Sequence, residues 1–156
     1  MVDFYPVDVH QIEHFKQIRE GLAIGGQPTT QQLQQLIAEG VEVVLQLHVD
    51  EAPYSINGER YELSQLGVVH LSMNVVLHQP TQSDLWHFFD FMDVYQGKNM
   101  FVHCADGFCA SSMVALYLIA REGRSLDEAR QMVLPGWHPS TAWLQLLDEM
   151  VPHSLS

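Results

Sequence analysis

The stretch "FVHCADGFCASS", residues 101–112, decides the fold. An apolar run ends in His103-Cys104, a short loop containing Gly107 follows, and a helical pattern starts at Ser111-Ser112 and runs through "MVALYLIA". A strand that stops, a tight glycine loop and an immediate helix make a concave row of backbone N–H groups, reinforced by the positive end of the helix. Such a nest is suited to a phosphate- or sulfate-like anion. It also favours a thiolate at Cys104, since the donors that hold an anion also stabilise a charged sulfur. His103 is placed to fix the loop from behind through a ring N–H, and Ser111 to assist the thiolate as a leaving group.

Outward from this loop, the chain alternates strands with helices. "LAIGG" is a strand and turn, followed by a helix with Thr29 or Thr30 as N-cap and Gly40 at its end. "VEVVLQL", 41–47, has the Val and Leu content of a buried strand, and "VVHLSMNV" is the next. The stretch between them mixes turn residues with a helix ending near Gly67. Pro80-Thr81 starts a helix that places Leu85, Phe88, Phe89 and Met92 on one face and ends at Gly97. "NMFVHC" is the strand that enters the loop. After it come a helix to about Glu122, one capped by Ser125, and a last one after Pro139. Val9, Ile12, Phe15 and Ile18, three residues apart, predict a short amphipathic helix over Val9 to Glu20. The expected fold is α/β: a central, mostly parallel sheet of four to five strands flanked by helices on both faces, with residues 1–156 as a single domain. Ligands of such sheets sit at the carboxyl ends of the strands, where the opening stretch lies.

Composition supports a folded domain, with 47% apolar and 17% charged residues. Nineteen acidic residues against seven Lys and Arg give a formal charge of -12, which opposes nucleic acid and anionic membrane surfaces. The same field opposes phosphorylated ligands, but only weakly beyond a Debye length of about 8 Å, so local geometry can override it. With no signal-peptide pattern and no apolar run of membrane-spanning length, a soluble cytoplasmic protein is expected. Two cysteines five positions apart are a local thiol feature, not a secreted disulfide framework.

"VHCADGFCAS" resembles the signature loop of the cysteine-based tyrosine and dual-specificity phosphatases: His-Cys, five loop residues with a central glycine, an arginine, then Ser or Thr. His103, Cys104, Gly107 and Ser111 match that register. The entry "GGQPTTQQLQQLIAEGVEVVLQLHVDEAP" and the exit "GWHPSTAWLQLL" resemble a bacterial phosphatase-like family. The resemblance implies Cys104 as nucleophile, with Ala105, Asp106, Gly107, Phe108, Cys109 and Ala110 as the phosphate-binding loop, a phosphorylated protein or small molecule as partner, and no cofactor.

The departures bear on catalysis. The arginine's position is Ala110 with five intervening residues and Cys109 with four, so neither register supplies a guanidinium. Arg121 lies eleven residues along the helix from Ala110, about 16 Å away at 1.5 Å per residue, too far to substitute. Arg60 is the one remaining rescuer. The family's general-acid loop is "NVVLHQPT" here, with no carboxylate but with His78, which can donate a proton near neutral pH. Asp84 is expected one turn into the next helix, facing away, and the family's Asn-Leu-Arg arginine is His48.

Cys109 has two readings: a small residue filling the space an arginine left, or a second thiol pointing at Cys104 as a resolving partner. His48, His70, His78 and His103 show no convincing ligand spacing, so no metal is expected. Four functions therefore compete. They are a phosphatase-fold protein with weak or lost hydrolysis, a working phosphatase with relocated parts in which Cys104 is nucleophile, His78 acid and Ser111 the aid to thiolate release, rhodanese-like or redox chemistry at Cys104 and Cys109, and a non-catalytic interaction module.

Overall fold

A two-residue turn at Glu20-Gly21 folds β1 (Lys16–Arg19) back on β2 (Leu22–Gly25), with Gly21 supplying the positive φ of 87°. This hairpin forms one edge of a five-stranded sheet in the computed structural model, which describes residues 8–48, 63–76, 78–133 and 139–150. The other strands are β3 (Val43–His48), β4 (Val69–Asn74) and β5 (Met100–His103), and the order is β1-β2-β5-β3-β4. Only the β1–β2 pair is antiparallel. Placing β5 between β2 and β3 buries it on both faces. Its last residue, His103, pairs with Gly25 on one side and Gln46 on the other.

Alternation along the strands divides the core in two. Ala23, Val44 and Phe101 face α1 (Thr30–Ala38), meeting Leu33 and Leu36 together with Val9 and Ile12 of the short 3-10 turn Val9–Gln11. Ile24, Leu45 and Val102 face the opposite way. There they meet α2 (Gln82–Val94), α3 (Phe108–Glu122), α4 (Leu126–Met132) and α5 (Thr141–Met150) through Phe88, Phe89, Met113, Ala129 and Trp143. α3 is the central helix: every residue from Cys109 to Ile119 is buried, as an apolar sequence all round a helix requires.

Local chemistry sets the helix starts. Thr29, Thr81 and Ser125 each close a reciprocal capping box, with Gln32, Asp84 and Glu128 respectively. Thr81→Ala removes the acceptor for the Asp84 N–H, 3.1 Å away. A loss of about 1 kcal/mol is expected in urea unfolding.

The helix expected over Val9 to Glu20 does not form. The 3-10 turn occupies Val9–Gln11, His14 takes a left-handed φ of 55°, and Lys16–Arg19 is a strand. The residues spaced by three serve different surfaces: Val9 and Ile12 enter the α1-side core, while Ile18 enters the α3-side core. Of the helix expected before Gly67, residues 63–65 are helical and Gly67 has φ 74°. The rest of that stretch, Arg60 included, lies outside the described residues.

Candidate active-site loop

β2 and β5 run parallel, so the turn Gly25-Gly26 lies against the loop that leaves β5. The Cys104 N–H donates to the Gly25 carbonyl at 3.3 Å, and the Gln27 N–H to the Ala105 carbonyl at 3.2 Å. A Cβ on Gly26 would stand 3.1 Å from the Ala105 oxygen and 3.2 Å from both the Asp106 carbonyl carbon and the Glu13 oxygen, all backbone atoms that cannot swing aside. Gly26 is therefore a requirement of close backbone approach.

Gly107 turns the loop into α3 with φ 95° and is the helix N-cap. Its N–H points inward at Cys104 Sγ, 3.1 Å away, and the Ala110 N–H reaches the same sulfur at 3.4 Å. Two of the loop's amide donors are thus directed at the chain's own thiol. Asp106 occupies a further one: its Oδ1 accepts from the Phe108 N–H at 3.0 Å and lies 3.9 Å from the sulfur.

The expectation of a depressed Cys104 pKa is reversed. Burial pushes the Cys104 thiol up, the amides of Ala110 and Gly107 only partly offset this, and the Asp106 carboxylate adds to the rise. Cys109 is pushed well above the ordinary thiol range, chiefly by burial and then by the neighbouring Cys104, Asp106 and Asp84. Both cysteines are free thiols. Cys109 and Ala110 sit in the α3-side core, with Ala110 fully enclosed.

Ser111 is fully buried and its hydroxyl has no hydrogen-bond partner among the described residues, so the loop's donors to sulfur there are backbone amides and not this side chain. His103 is fully buried with its ring stacked on Phe101 at 5.5 Å. Ala105 is exposed, Asp106 half-buried and Phe108 exposed at the loop's rim. His78 stands exposed in the turn between β4 and α2. Asp84 is turned back onto the Thr81 N–H at 3.0 Å, yet its charge reaches Cys109, closer to the loop than its sequence position suggested. Arg121 is engaged elsewhere, 3.5 Å from Asp93 and over the rings of Trp86 and Phe89.

His14 was not visible as a site residue in the sequence. Its Nδ1 lies 2.6 Å from the Asp106 carbonyl oxygen and its ring 4.9 Å from that of Phe108. Among the described residues no group of His, Cys, Asp and Glu is arranged to hold a metal ion. Two cavities, of about 370 and 340 Å³, open at the amino ends of the strands, beside Asn99-Met100 and Gly67-Val69. Both lie at the opposite end of the sheet from Cys104.

Gly107→Ala forces a side chain into a left-handed conformation and sets its Cβ 3.0 Å from that of His14. The expected cost is about 2 kcal/mol, read as a lower urea midpoint.

Residues 3–136 match the family described as DSP-PTPase phosphatase fused to NAD+ kinase. Solved structures share the fold. A DUF442 protein of Shewanella putrefaciens CN-32 is 26% identical, with a TM-score of 0.79 over 91% of this chain and 93% of that one. PTPMT1 in complex with PI(5)P is 24% identical, with a TM-score of 0.74 over 88% and 94%. The human tyrosine phosphatase-like serine/threonine/tyrosine-interacting protein is 17% identical, with a TM-score of 0.67 over 86% and 93%. No curated protein matches the sequence. No helix among the described residues is long and apolar enough to cross a membrane.

Proposed function

The chain belongs to the dual-specificity and tyrosine phosphatase family whose members are described as fused to NAD+ kinase, and from that premise we propose that it keeps the amide-lined Cys104 loop but has given up efficient phosphoryl transfer. The observation that carries this reading is the identity and burial of the residues where the loop arginine belongs. Ala110 is enclosed in the core, Cys109 is buried beside it, and the Ala110 amide is spent on Cys104 Sγ. A guanidinium there clamps phosphoryl oxygens bidentately, and neither replacement can do so.

The ligand of this reading is a phosphate-bearing protein or small molecule, held weakly. It must displace the Asp106 carboxylate from the Phe108 N–H and approach a chain of charge -12. PTPMT1, bound to PI(5)P, has the same fold around a phosphate-bearing ligand. In this reading His78, exposed in the turn before α2, is the candidate proton donor, and Ser111 the hydroxyl assigned to the thiolate leaving group.

The test pairs binding with turnover. Inorganic phosphate or vanadate is expected to raise the melting temperature at millimolar concentration, while wild-type and Cys104→Ser chains hydrolyse an aryl phosphate at nearly equal rates. A wild-type rate matching an arginine-bearing relative and abolished by Cys104→Ser would overturn the proposal.

A further inference from the structure

We propose that His14 is the positioning residue of the Cys104 loop: its Nδ1–H holds the Asp106 carbonyl outward and thereby aims the Gly107 N–H, in the same peptide plane, at the Cys104 sulfur. The argument begins with the peptide unit. The structure contains no cis bond among its described residues, so the Asp106 C=O and the Gly107 N–H point in opposite directions. One end is held by His14 Nδ1 at 2.6 Å and the other reaches Cys104 Sγ at 3.1 Å. A carbonyl only accepts, so Nδ1 carries the proton. Rotation of this peptide would break both bonds at once.

Three further features support the clamp. His14 is the one non-glycine residue with positive φ among the described residues, a strained conformation that persists where the surroundings over-determine it. Its Cβ lies 3.0 Å from where a Gly107 Cβ would stand, and its ring packs on Phe108, so it abuts the two residues that start α3. The segment that carries it is pinned by the Gly26 N–H, which donates to the Glu13 carbonyl at 2.7 Å. A chain segment ninety residues away from the loop in sequence thus sets how the loop solvates its thiol.

The inference deepens the function proposed above by taking Cys104 as the loop's reactive group, but it does not require that hydrolysis be lost. Its test measures no turnover. The rate of Cys104 alkylation by iodoacetamide, resolved from Cys109 by peptide mass spectrometry, is followed against pH in the full chain. The charged and titratable groups beside the sulfur are Asp106 and Cys109, with Glu13 3.9 Å from His14 Nδ1, and all are kept unchanged.

His14→Gly suits the left-handed backbone but donates nothing. It is expected to shift the alkylation midpoint upward by about one pH unit, through loss of one charge-assisted hydrogen bond to the thiolate. His14→Asn tolerates the same backbone and offers an amide N–H at the corresponding atom, and it should restore the wild-type midpoint. A purely structural role predicts the reverse, because a loosened loop hydrates the thiol and lowers the midpoint. An unchanged or lowered midpoint in His14→Gly, or an Asn variant no different from the Gly variant, overturns the proposal. If the variants do not fold, the wild-type Gly107 amide proton still decides. It should move in NMR spectra as Cys104 ionises, and indifference to that titration overturns the proposal. A competent hydrolase would overturn the proposed function and leave these readouts untouched.

Discussion

Hydrolysis of an aryl phosphate is expected to fall at least about 10²–10³-fold below that of an arginine-bearing relative of the same fold, equivalent to roughly 3–4 kcal/mol of barrier for one preorganised donor. The proposed loss has two separate causes. No guanidinium stands at Cys109 or Ala110 to meet the charge that develops on the phosphoryl oxygens. Cys104, the nucleophile of the proposed reading, is also held as a thiol, because burial and then the Asp106 carboxylate outweigh the backbone hydrogen bonds of Ala110, Gly107 and Asp106. The causes separate by pH. A raised thiol pKa means the thiolate fraction is small at neutral pH and grows as pH rises, so residual Cys104-dependent turnover should climb through the alkaline range. The arginine deficit does not change with pH. Asp106→Asn, which removes the nearby charge, should move that climb to lower pH. A pH-independent rate equal in wild-type and Asp106→Asn chains would show that the thiol's protonation is not limiting.

The fold itself should lose stability as pH rises above the ordinary thiol range. Cys104 and Cys109 both have folded-state pKa values above those of the unfolded chain. Below an unfolded pKa of about 8.5 both states keep both protons and stability does not depend on these groups. Above it the unfolded chain releases them while the folded chain retains them, and unfolding is favoured. The slope approaches about 1.4 kcal/mol per pH unit for each thiol, continuing until the pH passes the folded values. Urea midpoints measured from pH 7 to 9.5 should therefore be flat and then fall. Cys109→Ala, whatever its effect at pH 7, should reduce the alkaline slope by about half. Restricting the range to pH 9.5 keeps Tyr117, whose own pKa burial raises, out of the comparison. Parallel slopes for wild-type and Cys109→Ala would refute the assignment.

The strands and helix starts were legible because their signals are local. "VEVVLQL" reads as a buried strand without its neighbours, and Thr81 and Ser125 announce their helices through an acidic residue three positions on. The Cys104 loop was legible because strand, glycine and helix follow one another within a dozen residues. What failed was nonlocal. The spacing of Val9, Ile12, Phe15 and Ile18 fits a helix, but those side chains fill cores on opposite faces of the sheet, a division that depends on where β2 and α1 come to lie. The Cys104 pKa depends on burial under parts of the chain that the loop's own sequence does not mention. His14 carries no pattern at all: one histidine, one unusual backbone angle and a partner 92 positions away.

The complete enclosure of Ala110 resists the installation of a larger side chain there. Its methyl group belongs to the same core cluster as Cys109, Met113 and Val114. An Ala110→Arg substitution would bring a long charged chain into space packed for one carbon, and overpacking of that kind typically costs about 1–3 kcal/mol before the charge is counted. Building a guanidinium clamp at this position therefore requires several coordinated substitutions in α3 and its neighbours, and each intermediate must still fold.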